Sequence, residues 1–161
     1  MELDVRPLSD GLGAELVGLD LSAPLGDADI DAIRRVWFDN GVMVIRDQDL
    51  TPDQHIAFSR RFAALAIHVA DQFLLPGHPE ILVLSNKRRA DGTPVGFEDA
   101  GRYWHSDVSY DAEPALGSML LAVEIPPAGG DTMFADMCRA WETLPEAIRQ
   151  RIEGRRAVHS Y

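Results

Sequence analysis

The segment His105-Ser106-Asp107 places an imidazole and a carboxylate two residues apart. In an extended segment, residues i and i+2 point to the same side, so these two side chains are predicted to converge on one point. Such a pair supplies two of the three ligands of the facial triad that binds Fe(II) in non-haem oxygenases, where a second histidine supplies the third. A second interpretation stays open, in which a partly buried histidine is held by its neighbouring aspartate and no metal binds.

The spacing by itself is not specific, because the chain contains five histidines and 26 acidic residues. His78-Pro79-Glu80 shows the same spacing, and we interpret it as a loop. The single cysteine, Cys138, excludes an internal disulfide and a thiolate zinc cluster. The choice between a metal site and a structural pair therefore depends on the residues around His105 and Asp107.

Hydrophobic periodicity and turn signals predict the elements that position this pair. Strands are expected at residues 3–8, 14–21, 41–46, 81–85, 118–123, 132–134 and 156–161, with 104–110 extended. A first helix is expected from residue 27 to a stop at Asn40-Gly41, and a second is expected to start with a capping box at Thr51. Two further helices are expected over residues 138–144 and 145–152. Residues 86–103 read as a long loop. Together these elements predict an α+β domain in which antiparallel sheet dominates.

Length and composition restrict the class of protein. The 161 residues, of which 46% are hydrophobic and 25% charged, suit one globular domain. Fifteen Lys and Arg against 26 Asp and Glu give a net charge of −11. This charge repels phosphate backbones, so no nucleic-acid partner is expected. The apolar runs are too short to cross a membrane and no signal peptide is visible, so we predict a cytoplasmic protein with no membrane partner.

Three motifs around the pair carry a family resemblance. They are Trp104-His105-Ser106-Asp107, the small-residue run at 117–122, and Gly129-Gly130-Asp131-Thr132. Further matches extend outward at residues 13–21, 44–48, 144–146 and 156–159. In this order and spacing the sequence resembles the TauD/TfdA family of Fe(II)- and α-ketoglutarate-dependent dioxygenases, and the resemblance covers essentially the whole chain, residues 1–161.

The resemblance implies a double-stranded β-helix, or jelly-roll, core. It also implies Fe(II) as cofactor, with α-ketoglutarate and dioxygen as cosubstrates, and an oxidative decarboxylation to succinate that hydroxylates a small organic anion. By the same resemblance, His105 and Asp107 are metal ligands and Thr132 hydrogen-bonds the carboxylate of α-ketoglutarate. His68 contacts the acidic group of the substrate, and Val108 lines the same pocket.

The resemblance also implies two residues that this sequence does not provide. The second metal histidine and the arginine that pairs with α-ketoglutarate lie further along the chain in the family, so we expect this chain to be an N-terminal portion whose jelly roll lacks its last strands. His159 lies in a segment that does not bind iron in the family. Uncovered sheet edges and apolar faces then predict a chain of low stability that associates, including with copies of itself.

The substrate is expected to be a sulfonate, a sulfate ester or a carboxylate. Asp71 stands where taurine-specific relatives have an aromatic residue, which argues against taurine. Lys87, Arg88 or Arg89 in the long loop is a hypothetical source of positive charge for the anion. A different class of function stays open, in which the chain is an inactive remnant that serves as a binding or assembly module.

Overall fold

The computed structural model describes residues 3–98 and 100–159. The chain divides into two compact units, of which the first combines residues up to Gln48 with Ala122–His159 and the second contains residues 49–121. In the described residues these units contain five strands, four α-helices and one short 3-10 helix. This mixture of helices and strands agrees with the predicted α+β class.

The first unit contains a three-stranded sheet in the order β1-β2-β3. Strand β1 (Asp4–Pro7) pairs antiparallel with β2 (Ala14–Val17), and β2 pairs in parallel with β3 (Met43–Ile45). All three strands fall within the predicted ranges, although each is shorter than predicted. The parallel pair is possible because a helix connects β2 to β3.

Helix α1 (Asp27–Asn40) covers this sheet with an apolar stripe. Ile30 and Ile33, one helical turn apart, are almost completely buried, and so are Ala14 and Leu16 of β2. The acidic residues in the first turn stabilise the helix, because their negative charges lie near the positive end of the helix dipole. The predicted start and end of this helix are both confirmed.

Two short helices complete the first unit, α3 (Met137–Thr143) and α4 (Glu146–Ile152). The Asp136 carboxylate caps α3 by accepting hydrogen bonds from the backbone N–H groups of Cys138 and Arg139. Both helices lie within one residue of their predicted positions. Among the described helices, none is both long and apolar enough to span a bilayer.

The second unit begins with helix α2 (Pro52–Ser59). Thr51 and Gln54 form the predicted capping box, since the Thr51 hydroxyl accepts from the Gln54 N–H at 3.3 Å and the Gln54 side chain accepts from the Thr51 N–H at 2.9 Å. A 3-10 helix (Asp71–Phe73) leads into β4 (Leu74–Leu75), which pairs antiparallel with β5 (His78–Leu82). Phe58 of α2 is buried.

The structure corrects several predicted strands. His78-Pro79-Glu80 begins strand β5 and is not a loop. No strand forms over residues 104–136, so the strands predicted at 118–123 and 132–134 are absent from the described structure. A strand needs a partner for its backbone ladder, and Leu120 and Val123 in this stretch are 67% and 90% exposed. Residues 156–159 are irregular, and the rest of that predicted strand lies outside the described residues.

Candidate metal centre

His105 and Asp107 lie side by side in the second unit, on an irregular segment that follows the long loop. His105 Nε2 is 3.2 Å from Asp107 Oδ1, and each side chain is 53% exposed. The predicted convergence of the two side chains is therefore observed, but the prediction that residues 104–110 are extended is wrong, because residues 107–110 form a turn. Their half-exposure leaves the space beside the pair open to a ligand.

The backbone of Tyr103 orients the imidazole of His105. His105 Nδ1 lies 2.7 Å from the Tyr103 carbonyl oxygen. A carbonyl only accepts hydrogen bonds, so Nδ1 carries a proton and donates it. Nε2 is the nitrogen that faces Asp107. Histidines that bind metals are commonly oriented in this way, with one ring nitrogen tied to a carbonyl and the other left for the metal.

A serine hydroxyl holds the other member of the pair. Ser118 Oγ donates a hydrogen bond to Asp107 Oδ2, so Oδ1 is the oxygen that faces His105. Val108, directly after Asp107, has φ +54, a left-handed conformation that is rare for a β-branched residue. Such backbone strain is concentrated at functional sites.

The donor set of this pair fits a divalent metal. Two ligand atoms at about 2.1 Å from a metal in neighbouring octahedral positions are about 3.0 Å apart, close to the 3.2 Å between His105 Nε2 and Asp107 Oδ1. A nitrogen and a carboxylate oxygen are ligands that Fe(II) accepts. In residues 3–98 and 100–159, no cluster of three or more His, Cys, Asp or Glu residues is suited to a metal. The described residues therefore supply two ligands.

His68 lies in the second unit, next to the ring of Phe97. Its Nδ1 accepts a hydrogen bond from the Ala70 N–H at 3.0 Å, and its ring centre is 6.4 Å from that of Phe97, which stacks on Phe73 at 5.6 Å. Because Nδ1 accepts, the ring carries its proton on Nε2 and can donate it to an anion. The substrate role of His68 stays a prediction, and so does that of the half-buried Val108.

Thr132 lies in the first unit and is exposed. It lies two residues after Gly130, and both Gly129 and Gly130 have positive φ. Its contact with α-ketoglutarate stays a prediction.

The arginines of the long loop are engaged within that loop. Arg88 donates to the Glu98 carboxylate at 2.7 Å and to the Gly92 carbonyl at 3.0 Å. Arg89 donates to the Thr93 hydroxyl at 3.4 Å and also to the Pro94 carbonyl. The positive charge of these two arginines therefore stabilises the loop, which weakens the hypothesis that they attract the substrate.

An open groove of about 440 Å³ lies elsewhere in the second unit. Its walls are formed by small and aliphatic side chains together with one ion pair, namely Arg60, Ala63, Ala64, Leu65, Ile67 and Glu80. The Arg60 guanidinium is bound to the Glu80 carboxylate at 2.5 Å. The groove does not include the predicted metal ligands.

Sequence reasoning missed the residues that support the pair. The Tyr103 carbonyl and the Ser118 hydroxyl contact His105 and Asp107 directly, and His55 of α2 hydrogen-bonds to the backbone of Met119, next to Ser118. Burial lowers the pKa of His55, and the hydrogen bond to Met119 opposes this shift. No local pattern connects Ser118 and His55 with the pair, because their contacts depend on how separate segments fold together.

The family model for "Taurine catabolism dioxygenase TauD, TfdA family" matches residues 4–161. The chain belongs to this family. It is 35% identical over 168 residues to an α-ketoglutarate-dependent 2,4-dichlorophenoxyacetate dioxygenase from Cupriavidus pinatubonensis, and the alignment covers 99% of this chain and 58% of the relative. It is also 35% identical to pentalenolactone F synthase from Streptomyces avermitilis, with 92% and 50% covered.

A solved structure also shows the similarity of this chain to the family. The crystal structure of a taurine dioxygenase from Burkholderia xenovorans superposes with a TM-score of 0.77 at 34% identity, covering 94% of this chain and 52% of that one. The TauD/TfdA chain described here thus spans about half the length of the relatives it matches. This share agrees with the prediction that it corresponds to an N-terminal portion.

Proposed function

We propose that this TauD/TfdA chain provides the first two metal ligands and part of the substrate pocket of an Fe(II)- and α-ketoglutarate-dependent dioxygenase. One observation carries the proposal. His105 Nε2 and Asp107 Oδ1 face each other at 3.2 Å, while their other polar atoms are bound to Tyr103 and Ser118. Because these two hydrogen bonds involve the other polar atoms, His105 Nε2 and Asp107 Oδ1 are both available to bind one cation.

The bound metal supplies oxidative chemistry, in which α-ketoglutarate, dioxygen and a substrate C–H group give succinate, carbon dioxide and a C–OH group. The protein residues bind and orient the reactants. His105 would hold the metal through Nε2 and Asp107 through Oδ1, since these atoms face each other. Thr132 would donate its hydroxyl to a carboxylate of α-ketoglutarate.

The same proposal assigns the recognition of the substrate to His68 and Val108. His68 presents a donor at Nε2, which suits a small organic anion. Among the predicted anions, a carboxylate is favoured because the relative from Cupriavidus pinatubonensis is named for 2,4-dichlorophenoxyacetate. Asp71 is exposed and adds negative charge to the unit that contains His68, which argues against taurine as the substrate.

We further infer that the chain forms part of a jelly roll. The family match over residues 4–161 supports this inference. The exposed side chains of Leu120, Val123 and Met133, in a stretch without strand partners among the described residues, also support it. Strand partners for this stretch would cover those side chains. Without them, the exposed apolar surface favours self-association.

The test is an anaerobic titration with Fe(II) and α-ketoglutarate, monitored by the charge-transfer absorption of the metal–keto-acid chelate. We expect a saturable band that His105→Ala and Asp107→Ala abolish and that His159→Ala, the matched control, leaves unchanged. Circular dichroism of each variant confirms that it is folded. Absence of the band in folded wild-type protein would overturn the proposal and favour the alternative, an inactive binding or assembly module.

A further inference from the structure

Ser118 contacts the predicted metal ligand Asp107 from eleven residues further along the chain. Its hydroxyl donates to Oδ2, the carboxylate oxygen that does not face His105. A hydrogen bond to an ionised carboxylate is among the stronger ones that a neutral hydroxyl makes. We infer that Ser118 is a positioning residue that restricts Asp107 to binding the metal through one oxygen. The inference rests on the proposed function.

The two oxygens of a carboxylate are chemically equivalent, so a free carboxylate can bind a cation through either oxygen or through both. In this site the Ser118 hydroxyl donates to Oδ2, and Oδ1 faces His105 Nε2. Each carboxylate oxygen can accept more than one partner, but binding through both oxygens would make the metal compete with Ser118 for Oδ2. The weakening of this hydrogen bond favours the one-oxygen mode.

The coordination mode matters because the metal positions are limited. A facial triad occupies three of six positions and leaves three open for cosubstrates and dioxygen. An aspartate that bound through both oxygens would fill one of the open positions. Ser118 therefore keeps a position available for the reaction, although it touches neither substrate nor metal.

The residue after Ser118 contacts helix α2. The backbone of Met119 hydrogen-bonds to His55, and His55 lies in α2. Through this contact the segment that carries Ser118 is connected to a regular element. Each predicted ligand then has one support, which is the Tyr103 carbonyl for His105 and the Ser118 hydroxyl for Asp107.

The experiment compares Ser118→Ala with Ser118→Thr, which retains the hydroxyl, and with Ser85→Ala, which removes a hydroxyl that binds only the Lys87 backbone N–H among the described residues. Co(II) is the probe, because its visible spectrum reports coordination number and its titration gives the Kd. We expect Ser118→Ala to raise the Kd about tenfold, as losses of outer-shell partners do, and to change the Co(II) spectrum. Ser118→Thr and Ser85→Ala should both match the wild type.

A second readout needs no metal. Crystal structures of wild type and Ser118→Ala without metal report the conformation of the Asp107 side chain. We expect one conformer in the wild type and several in Ser118→Ala. An unchanged Asp107 conformer overturns the inference, and so does an unchanged Kd and Co(II) spectrum or a failure of Ser118→Thr to restore them. If wild-type protein binds no Co(II) but Ser118→Ala releases Asp107, the proposed function fails and the positioning role of Ser118 stands.

Discussion

Arg139 Nη1 donates a hydrogen bond of 2.9 Å to the carbonyl oxygen of Asp10, a residue 129 positions earlier in the chain. The contact ties helix α3 to the turn between β1 and β2. Gly11 makes the close approach possible, because a Cβ on Gly11 would lie 2.9 Å from the same guanidinium nitrogen. The turn and the helix therefore constrain each other.

Gly11→Ala is expected to lower the free energy of unfolding by about 1 kcal/mol more than Gly18→Ala does. This difference corresponds to the loss of one hydrogen bond. Both glycines have positive φ, +96 and +75, so both alanines are strained by the backbone. Gly18 faces open space, whereas a Cβ on Gly11 displaces Arg139. Urea unfolding measures the difference, which should vanish in an Arg139→Ala background. A difference that persists there would contradict the contact.

Thr51→Ala is expected to cost about 1 kcal/mol of stability, because the hydroxyl that caps α2 is lost. Thr51→Ser keeps the oxygen that accepts from the Gln54 N–H and serves as the matched control. Urea unfolding followed by circular dichroism compares the three proteins. Equal stability of the alanine and serine variants would show that the capping box is not formed.

The stability of the fold is expected to depend on pH through His55. Burial lowers the pKa of His55 in the folded state below its ordinary value of 6.5. The unfolded chain therefore binds the proton more readily, so this contribution is complete above about pH 6.5 and is lost as the pH falls through 6.5 towards the lower folded value. The stability difference between wild type and His55→Gln should shrink between pH 7.5 and pH 5.5.

The two proteins in that comparison share all other histidines, so the contributions of those residues cancel. Urea unfolding at the two pH values provides the free energies. A difference that is constant or grows as the pH falls would contradict the burial of His55.

Val108→Gly is expected to be more stable than Val108→Ala by about 1 kcal/mol, because only glycine adopts φ +54 without strain. Val95 provides the control, since its φ is not positive and it is also a half-buried loop valine. At Val95 the usual order should hold, with alanine more stable than glycine. The same order at both positions, measured by urea unfolding, would argue against the left-handed backbone at Val108.

Helices α1 and α2 could be predicted because their signals are local. Ile30 and Ile33 define a buried stripe, and Thr51 with Gln54 defines a cap within four residues. The strands predicted at 118–123 and 132–134 were wrong for the described structure. A short apolar run shows that a segment can form a strand, not that a partner is present to complete its ladder.

In the candidate site, too, some contacts could be predicted from a local pattern and others could not. The convergence of His105 and Asp107 follows from a spacing of two residues and could be predicted. The contacts of Ser118 and His55 bring together segments from different parts of the second unit, so no short pattern contains them. The left-handed backbone of Val108 could not be predicted either, because nothing in the identity of a valine favours positive φ.

The parallel pairing of β2 with β3 also determines an order of events when the chain folds. Strand β2 can pair with β1 through a short turn, but it can reach β3 only after residues 18–42 have closed a long loop, which costs entropy. Helix α1 contains most of the residues of that loop, so its formation reduces the number of conformations that the loop samples before its ends meet. We therefore expect the hairpin to form early and β3 to join once the helix is in place. Mutations that weaken α1 without touching the sheet should slow refolding for this reason.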